Sequence, residues 1–143
     1  MASKPQSFRN HARLDPLFHF FLGPISFILL IASGIHFFRD VGWASALQFL
    51  AGIWAVVAAF KIRLYALKVQ DRLIRLEERL RMHELFRDPL KSRIGEFTES
   101  QLIALRFASD AELPALAEKA LQGLKQKQIK TEIKNWRPDY FRV

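Results

Sequence analysis

The hydrophobic pattern of the first 60 residues predicts two membrane-spanning helices. Residues 16–38 and 41–60 contain no Lys, Arg, Asp or Glu, and only Arg39 and Asp40 separate the two runs. A helix rises 1.5 Å per residue, so each run covers roughly 30 Å, the thickness of a bilayer's hydrocarbon core. We therefore expect a transmembrane helical hairpin over residues 16–60, preceded by a short N-terminal segment, residues 1–15.

The second predicted helix should continue far beyond the apolar run. No Gly or Pro occurs between Ile53 and Asp88, which favours an unbroken extension over residues 61–87. Apolar or weakly polar side chains recur along it in steps of three and four, a coiled-coil-like stripe with one extra residue relative to a strict heptad. We call this stripe the seam, and its residues are Ile62, Tyr65, Val69, Leu73, Leu76, Leu80 and His83. Either another copy of the chain or the C-terminal helices folding back could cover the seam.

Residues 88–143 predict a small helical module of about four short helices. Asp88-Pro89 is typical of a helix start, and Thr98 with Gln101 and Ser109 with Glu112 have the spacing of capping boxes. A last helix is expected from about 126 to 135, and the aromatic residues that follow predict a docked tail. No segment shows the alternation of a strand, so the predicted fold class is all-α.

Small residues on the second span indicate a second candidate interface. Ala51, Ala55 and Ala59 recur every four residues and would allow another helix to approach closely. Chance enrichment of alanine in an apolar helix explains the same spacing equally well.

Charge orients the predicted hairpin. The formal net charge is +8, and lysine and arginine flank both spans on the side of the termini, whereas the turn has only Arg39 beside Asp40. This bias places both termini in the cytoplasm. Lys61, Arg63 and Lys68 follow the second span closely and are predicted contacts of anionic lipid headgroups. The chain has no cysteine, which excludes disulfides and thiolate chemistry.

Four segments resemble a bacterial membrane protein family, the domain-of-unknown-function family numbered 6526. They are residues 8–21 (FRNHARLDPLFHFF), 65–80 (YALKVQDRLIRLEERL), 101–109 (QLIALRFAS) and 133–143 (IKNWRPDYFRV). The resemblance implies a two-span protein of the bacterial inner membrane with a helical cytoplasmic part. It implies no activity, cofactor or catalytic residue.

Motifs for catalysis are missing from the sequence, and two histidines carry the only cofactor hypothesis. There is no phosphate-binding glycine loop and no H-E-x-x-H pattern. His19 and His36 lie 17 positions apart near opposite ends of the first span, about 25 Å along a helix. Ionisable groups in a membrane span are functional candidates, so paired hairpins using both histidines could bind b-type haem and transfer electrons. The alternative is that both are interfacial histidines, and we assign no cofactor and no metal.

The basic C-terminal segment, Lys119–Val143, permits a lesser alternative, a membrane-tethered nucleic-acid binder. Lysines and arginines there are interleaved with Trp136, Tyr140 and Phe141, which could stack on bases. Docking of the aromatics onto the preceding helices accounts for them as well. The sequence favours a non-enzymatic scaffold or assembly subunit that self-associates or joins a larger membrane complex through the long helix.

Overall fold

A computed structural model describes residues 6–8 and 14–139, which form helices in two compact units. One unit comprises residues 14–68; the other comprises residues 69–139 together with 6–8. Within these described ranges no strand forms, and the only bridge pairs Ala108 with Trp136. The helices are a π-helical turn Leu17–Leu22, α1 (Gly23–Arg39), α2 (Trp43–Leu85), a 3₁₀ helix Lys91–Glu96, α3 (Glu99–Leu105), α4 (Leu113–Leu121) and α5 (Gln126–Glu132).

Two of these helices are long and apolar enough to cross a bilayer, as the hydrophobic pattern predicted. They are Leu17–Arg39 and Trp43–Leu85, with mean hydropathies of 2.0 and 1.7 over their most apolar stretches. Only 11% and 17% of those stretches are buried by the protein itself. The core helix of a water-soluble domain would be mostly buried, so the exposure of these two apolar stretches fits helices of membrane-spanning length and composition.

The first of these helices begins with a π-helical turn rather than a regular α-helix. Pro24 has no N–H to donate, and its ring would clash with the carbonyl four residues earlier in an α-helix. The wider turn relieves this clash, and the Gly23 N–H reaches back to the carbonyl of Phe18. The irregularity before Pro24 thus takes the form of a π-helical turn.

A serine closes the connection between α1 and α2. The Ser45 hydroxyl donates to the Asp40 carbonyl at 2.6 Å and accepts from the Gly42 N–H at 3.0 Å. It thereby satisfies backbone groups that a tight turn leaves without helical partners. Ser45 is buried, so the turn has a fixed conformation.

Glycines set the packing between α1 and α2. A Cβ atom at Gly52 would lie 2.8 Å from Ser33 Oγ and 3.0 Å from Leu30 Cα, and one at Gly34 would lie 3.2 Å from the Phe49 ring. These approaches are possible only because neither residue has a side chain.

The second unit has its own hydrophobic core, to which α2 contributes one face. We refer to residues 88–139 as the module. The core is built from Met82, Phe86, Leu90, Ile94, Phe97, Leu102, Ala104, Leu105, Phe107, Ala108, Leu113, Leu116, Ala117, Ala120, Ile129 and Ile133. Trp136 packs against the same cluster, its ring centroid 5.0 Å from that of Phe107.

One predicted capping box forms and the other is wrong. Thr98 Oγ1 accepts the Gln101 N–H, and Gln101 Oε1 accepts the Thr98 N–H at 2.8 Å, so α3 starts as expected. Ser109 does not cap α4, because that helix begins later, at Leu113. Glu112 instead accepts the backbone N–H and side-chain amide of Asn135 at 3.1 and 3.2 Å. The expected pairing of Glu112 with Ser109 is thus replaced by hydrogen bonds between Glu112 and Asn135 of the C-terminal segment.

The helix boundaries of the module also differ from the expected ones. Asp88-Pro89 is a cis peptide in a turn, and the first short helix begins only at Lys91. The last helix ends at Glu132 rather than near 135, since the chain then turns extended at Ile133. The extended segment returns along residues 107–109, where Arg137 N–H donates to the Phe107 carbonyl at 2.7 Å. Docking of the tail is therefore confirmed through Asp139, and Tyr140 and Phe141 lie outside the described residues.

Candidate interaction site

The part of α2 in the second unit has two faces of opposite character. Leu76 and Glu78 are two residues apart, hence about 200° apart around the helix. Leu76 is 57% exposed although it is apolar, whereas Glu78 is only 4% exposed although it is charged. The helix thus turns a mixed face toward its own module and an apolar face away from it.

The buried face repeats every four residues. Ile74, Glu78, Met82 and Phe86 lie on it, and Met82 is completely inaccessible to solvent. Residues at i and i+4 share one side of a helix, so this row forms a single contact surface for the module.

Two arginines neutralise the buried carboxylate of Glu78. Arg81 Nη1 donates to Oε2 at 3.0 Å, and Arg137 Nη1 donates to Oε1 at 3.3 Å. Burial nevertheless raises the pKa of Glu78, because removal from water penalises the charged form more than the guanidinium groups of Arg81 and Arg137 favour it. Each carboxylate oxygen therefore has a charged donor, one from α2 itself and one from the C-terminal segment.

Arg81 extends this network to the loop before α4. Its Nη2 donates to the Ala108 carbonyl at 2.8 Å, and its Nε donates to Asp110 Oδ1 at 2.8 Å. One guanidinium thus joins α2 to both ends of a short loop. Fixed fork geometry of this kind suits arginine and not lysine.

A small cavity of about 190 Å³ with a mixed polar and apolar lining lies beside Glu78. Arg106, Arg137 and Asp139 line it from the module, and Arg106 and Asp139 approach within 3.4 Å of each other. Gln6 also holds Asp139, donating to its carbonyl at 3.0 Å and accepting its N–H at 2.8 Å. Acids and bases alternate around the cavity, which makes it a structural ion network rather than a site selective for one charge.

The seam residues lie outside the core of the module. Val69, Leu73, Leu76 and Leu80 are all more than half exposed, and so are Ile62 and Tyr65. The C-terminal helices therefore use the Ile74–Phe86 face and leave the seam open. Sequence periodicity singled out only the leucine-rich seam, and it did not predict the row of Ile74, Glu78, Met82 and Phe86 as a contact face.

The alanine stripe is split between two environments. Ala59 is buried, whereas Ala51 is exposed and Ala55 is intermediate. Close contacts between α1 and α2 fall at Gly34 and Gly52, which the predicted alanine stripe does not include. The sequence feature that points to these contacts is a glycine within each apolar span, because small residues commonly mark contacts between membrane helices.

The three predicted lipid-contacting cations differ in their surroundings. Arg63 has a side chain only 12% exposed, pairs with Asp15 at 3.5 Å and lies over the Phe18 ring. Lys61 and Lys68 are exposed. Contact with anionic lipid headgroups stays a prediction for all three residues. The two exposed lysines are better candidates for it than Arg63, which is already paired with Asp15.

His19 lies in the π-helical turn and His36 lies in α1. Both histidines are exposed, and they have different neighbours. His19 Nδ1 lies 2.8 Å from the Asp15 carbonyl. His36 lines a groove of about 490 Å³ with Gln48, Ala51 and Gly52, and over the described ranges no hydrogen bond joins His36 to Gln48. Residues 6–8 and 14–139 contain no cluster of three metal-ligating side chains. Haem binding by these histidines stays a prediction that one absorption spectrum tests.

Much of the predicted nucleic-acid surface is engaged in contacts within the module. Trp136 packs on Phe107, Arg137 pairs with Glu78, and Lys119 binds Glu132 at 2.6 Å. Lys125, Lys127 and Lys134 remain exposed. Base stacking would have to rely on Tyr140 and Phe141, which lie outside the described residues.

The fold and these faces define an all-helical protein with two helices long enough to span a membrane and a small helical module. The chain matches DUF6526, a family of unknown function, over residues 1–143, and it belongs to that family. Comparison with curated proteins and with solved structures finds no significant match.

Proposed function

We propose that this chain is a non-enzymatic scaffold or assembly subunit of the bacterial inner membrane. The apolar helices α1 and the first part of α2 form its membrane hairpin, and both termini lie in the cytoplasm. The positive charge after the second span and the near absence of charge in the turn support this orientation.

The observation that carries the proposal is the exposure of the seam. Leu73, Leu76 and Leu80 are 54–57% exposed and lie outside the core of the module, and Leu73 also borders the cavity beside Glu78. A row of large apolar side chains on a water-facing helix is characteristic of a protein–protein contact. The module already has a closed core of its own, so the seam serves a partner.

Assembly also fits the chemistry of the site. Arg81 and Arg137 pair with Glu78, and these ion pairs join the C-terminal segment to α2. Such an arrangement stabilises a fixed shape of the module. A rigid module beside an open apolar face is what an assembly subunit needs.

Native electrophoresis of membranes extracted in mild detergent tests the proposal. The full-length chain is expected in a complex larger than one copy, and the Leu73→Glu/Leu76→Glu variant is expected to leave it. Ala111→Glu/Ala115→Glu adds the same charges at exposed positions of the module and should leave the complex intact. Migration of the wild type as a single copy, or an unchanged complex in the seam variant, would overturn the proposal.

A further inference from the structure

The seam carries a strict heptad along the part of α2 that is in the second unit. From Val69 onward the exposed row continues at Leu73, Leu76, Leu80 and His83, in alternating steps of four and three. In heptad notation Leu73 and Leu80 are a positions, and the other three are d positions. The extra residue of the seam falls before this stretch, at the two consecutive four-residue steps that join Tyr65, Val69 and Leu73.

Charged residues flank this heptad in a fixed order. The g positions are Arg72 and Arg79, and the following e positions are Glu77 and Glu84. All four side chains are exposed, and among residues 6–8 and 14–139 none of them forms an ion pair. The seam therefore has basic residues along one edge and acidic residues along the other.

The order of these charges selects one partner and one orientation. In a parallel, in-register pair of helices, each g residue faces the e residue five positions later on the other helix. Arg72 then faces Glu77 of a second copy, and Arg79 faces Glu84. In an antiparallel pair g faces g and e faces e, so arginine would meet arginine and glutamate would meet glutamate.

We propose that the seam binds a second copy of this chain as a parallel, in-register coiled coil with Arg72–Glu77 and Arg79–Glu84 pairs between the copies. This inference rests on the proposed function and names the partner of that interface. The core contacts of α2 with the module agree with it, because Glu78 and Met82 occupy the f and c positions, on the outside of such a pair. Leu73 and Glu77 border the cavity beside Glu78, on the flank of the pair nearest the module.

Membrane anchoring compensates for the shortness of this coiled coil. A coiled coil of about two heptads is only marginally stable when two soluble chains must find each other. Two hairpins inserted in the same membrane with the same orientation already have their long helices parallel, and confinement raises their effective concentration. The short heptad stretch is thus sufficient for a pair of anchored chains.

Disulfide cross-linking of the full-length chain in native membranes tests register and direction, because the chain has no cysteine of its own. Val69→Cys and His83→Cys are single d-position variants that keep all three leucines. Each is expected to give a covalent dimer on mild oxidation, while Glu118→Cys, exposed on the module, gives only background. A mixture of the two seam variants that cross-links only between positions 69 and 83 would overturn the parallel arrangement, as would no dimer above the Glu118→Cys level.

Charge reversal tests the pairing itself. Arg72→Glu/Arg79→Glu and Glu77→Arg/Glu84→Arg should each weaken self-association by about tenfold or more, because attraction at every pair becomes repulsion. An equimolar mixture of the two variants should associate again, since one then presents only acids and the other only bases. Unchanged self-association of both variants would contradict the proposed pairs.

The two proposals fail in different ways. If Leu73→Glu/Leu76→Glu releases the chain from its complex but neither cysteine variant dimerises, the seam binds a different protein and the homodimer is wrong. If the complex does not depend on the seam at all, the proposed function is wrong as well.

Discussion

Arg137 Nη1 lies 3.3 Å from Glu78 Oε1, although the two residues are 59 positions apart in the sequence. This contact fixes the C-terminal segment to the long helix α2. It also explains how a glutamate on that helix can be buried between hydrophobic residues. The module thereby covers one face of α2 and leaves the opposite, leucine-rich face open.

The Glu78–Arg137 contact predicts a moderate loss of module stability on removal of the arginine. Arg137→Ala should lower the free energy of opening of the module by about 1–2 kcal/mol, because hydrogen bonds to charged groups contribute amounts of this order. Arg81 still neutralises Glu78 in the variant, so the module stays folded. Amide hydrogen exchange of the full-length protein in detergent measures the change, and Lys127→Ala, an exposed residue, is the control.

Glu78 also predicts a pH dependence with a definite sign. Its pKa is raised by burial, so above about pH 4.5 the folded state holds a proton that the unfolded state has lost. Stability from this group is complete below that pH and is lost as pH rises through the raised pKa. Glu96 contributes a pH dependence of the opposite sign, because Arg93 lowers the pKa of its carboxyl group. Glu96 is present in both the wild type and a Glu78→Gln variant, so its contribution cancels when these two proteins are compared.

The difference between wild type and Glu78→Gln isolates this contribution. The free energy difference between the two proteins should change in favour of the variant as pH rises from about 4.5 through the raised pKa of Glu78, and it should then stay constant. Hydrogen exchange corrected for intrinsic rates at each pH gives this difference. A difference that is flat with pH would show that Glu78 does not titrate differently in the folded state.

A matched pair of alanine substitutions distinguishes the two faces of α2. Met82→Ala leaves a cavity in the core and should destabilise the module by about 2–5 kcal/mol. Leu76→Ala, on the exposed face, should change module stability by less than about 0.5 kcal/mol while weakening self-association. Hydrogen exchange measures the stability of the module, and mass measurement on the same samples reports self-association. Equal destabilisation by both substitutions would contradict the division of faces.

The hairpin should be sensitive to any side chain at Gly52. A valine there would press against Ser33 and the Leu30 backbone, because even a Cβ atom at position 52 would lie only 3.0 Å from Leu30 Cα. We expect a loss of about 1–3 kcal/mol, which lowers the thermal midpoint of the full-length protein in detergent. Ala44→Val adds a branched side chain at an exposed position of the same helix and should have little effect. Equal midpoints for the two variants would argue against the close helix contact.

Cysteine labelling tests the proposed membrane topology. Gly42→Cys lies in the turn and should react with a membrane-impermeant maleimide in intact spheroplasts, because the turn faces outward. Lys127→Cys, exposed on the module, should react only after the membrane is opened. Labelling of Lys127→Cys before permeabilisation would reverse the orientation, and labelling of neither cysteine afterwards would place both sites out of water.

The sequence predicts the elements of this fold better than their contacts. The two apolar helices follow from length and hydropathy, and the start of α3 follows from Thr98 and Gln101, because these signals are local. Ser109 and Glu112 have the same spacing, yet Glu112 binds Asn135. A partner 23 residues away outweighs a local cap, and spacing alone does not reveal it.

The choice of face on α2 required the structure for the same reason. Periodicity ranks the Leu73–Leu76–Leu80 row as the more hydrophobic side, and a core prediction based on it would bury that row. The module instead packs on a row containing Glu78, which is possible only because Arg81 and Arg137 neutralise the carboxylate. Because the module fills the other side of α2, the exposed leucines are the face left for the proposed interface.

Mass photometry of the full-length protein in mild detergent tests the central claim most directly. The claim is that the open seam of α2 joins copies of this chain. The wild type is predicted to have twice the protein mass of one chain, and the Leu73→Glu/Leu76→Glu variant is predicted to have the mass of one. A wild type with the mass of a single chain, or a variant that keeps the doubled mass, would contradict the account.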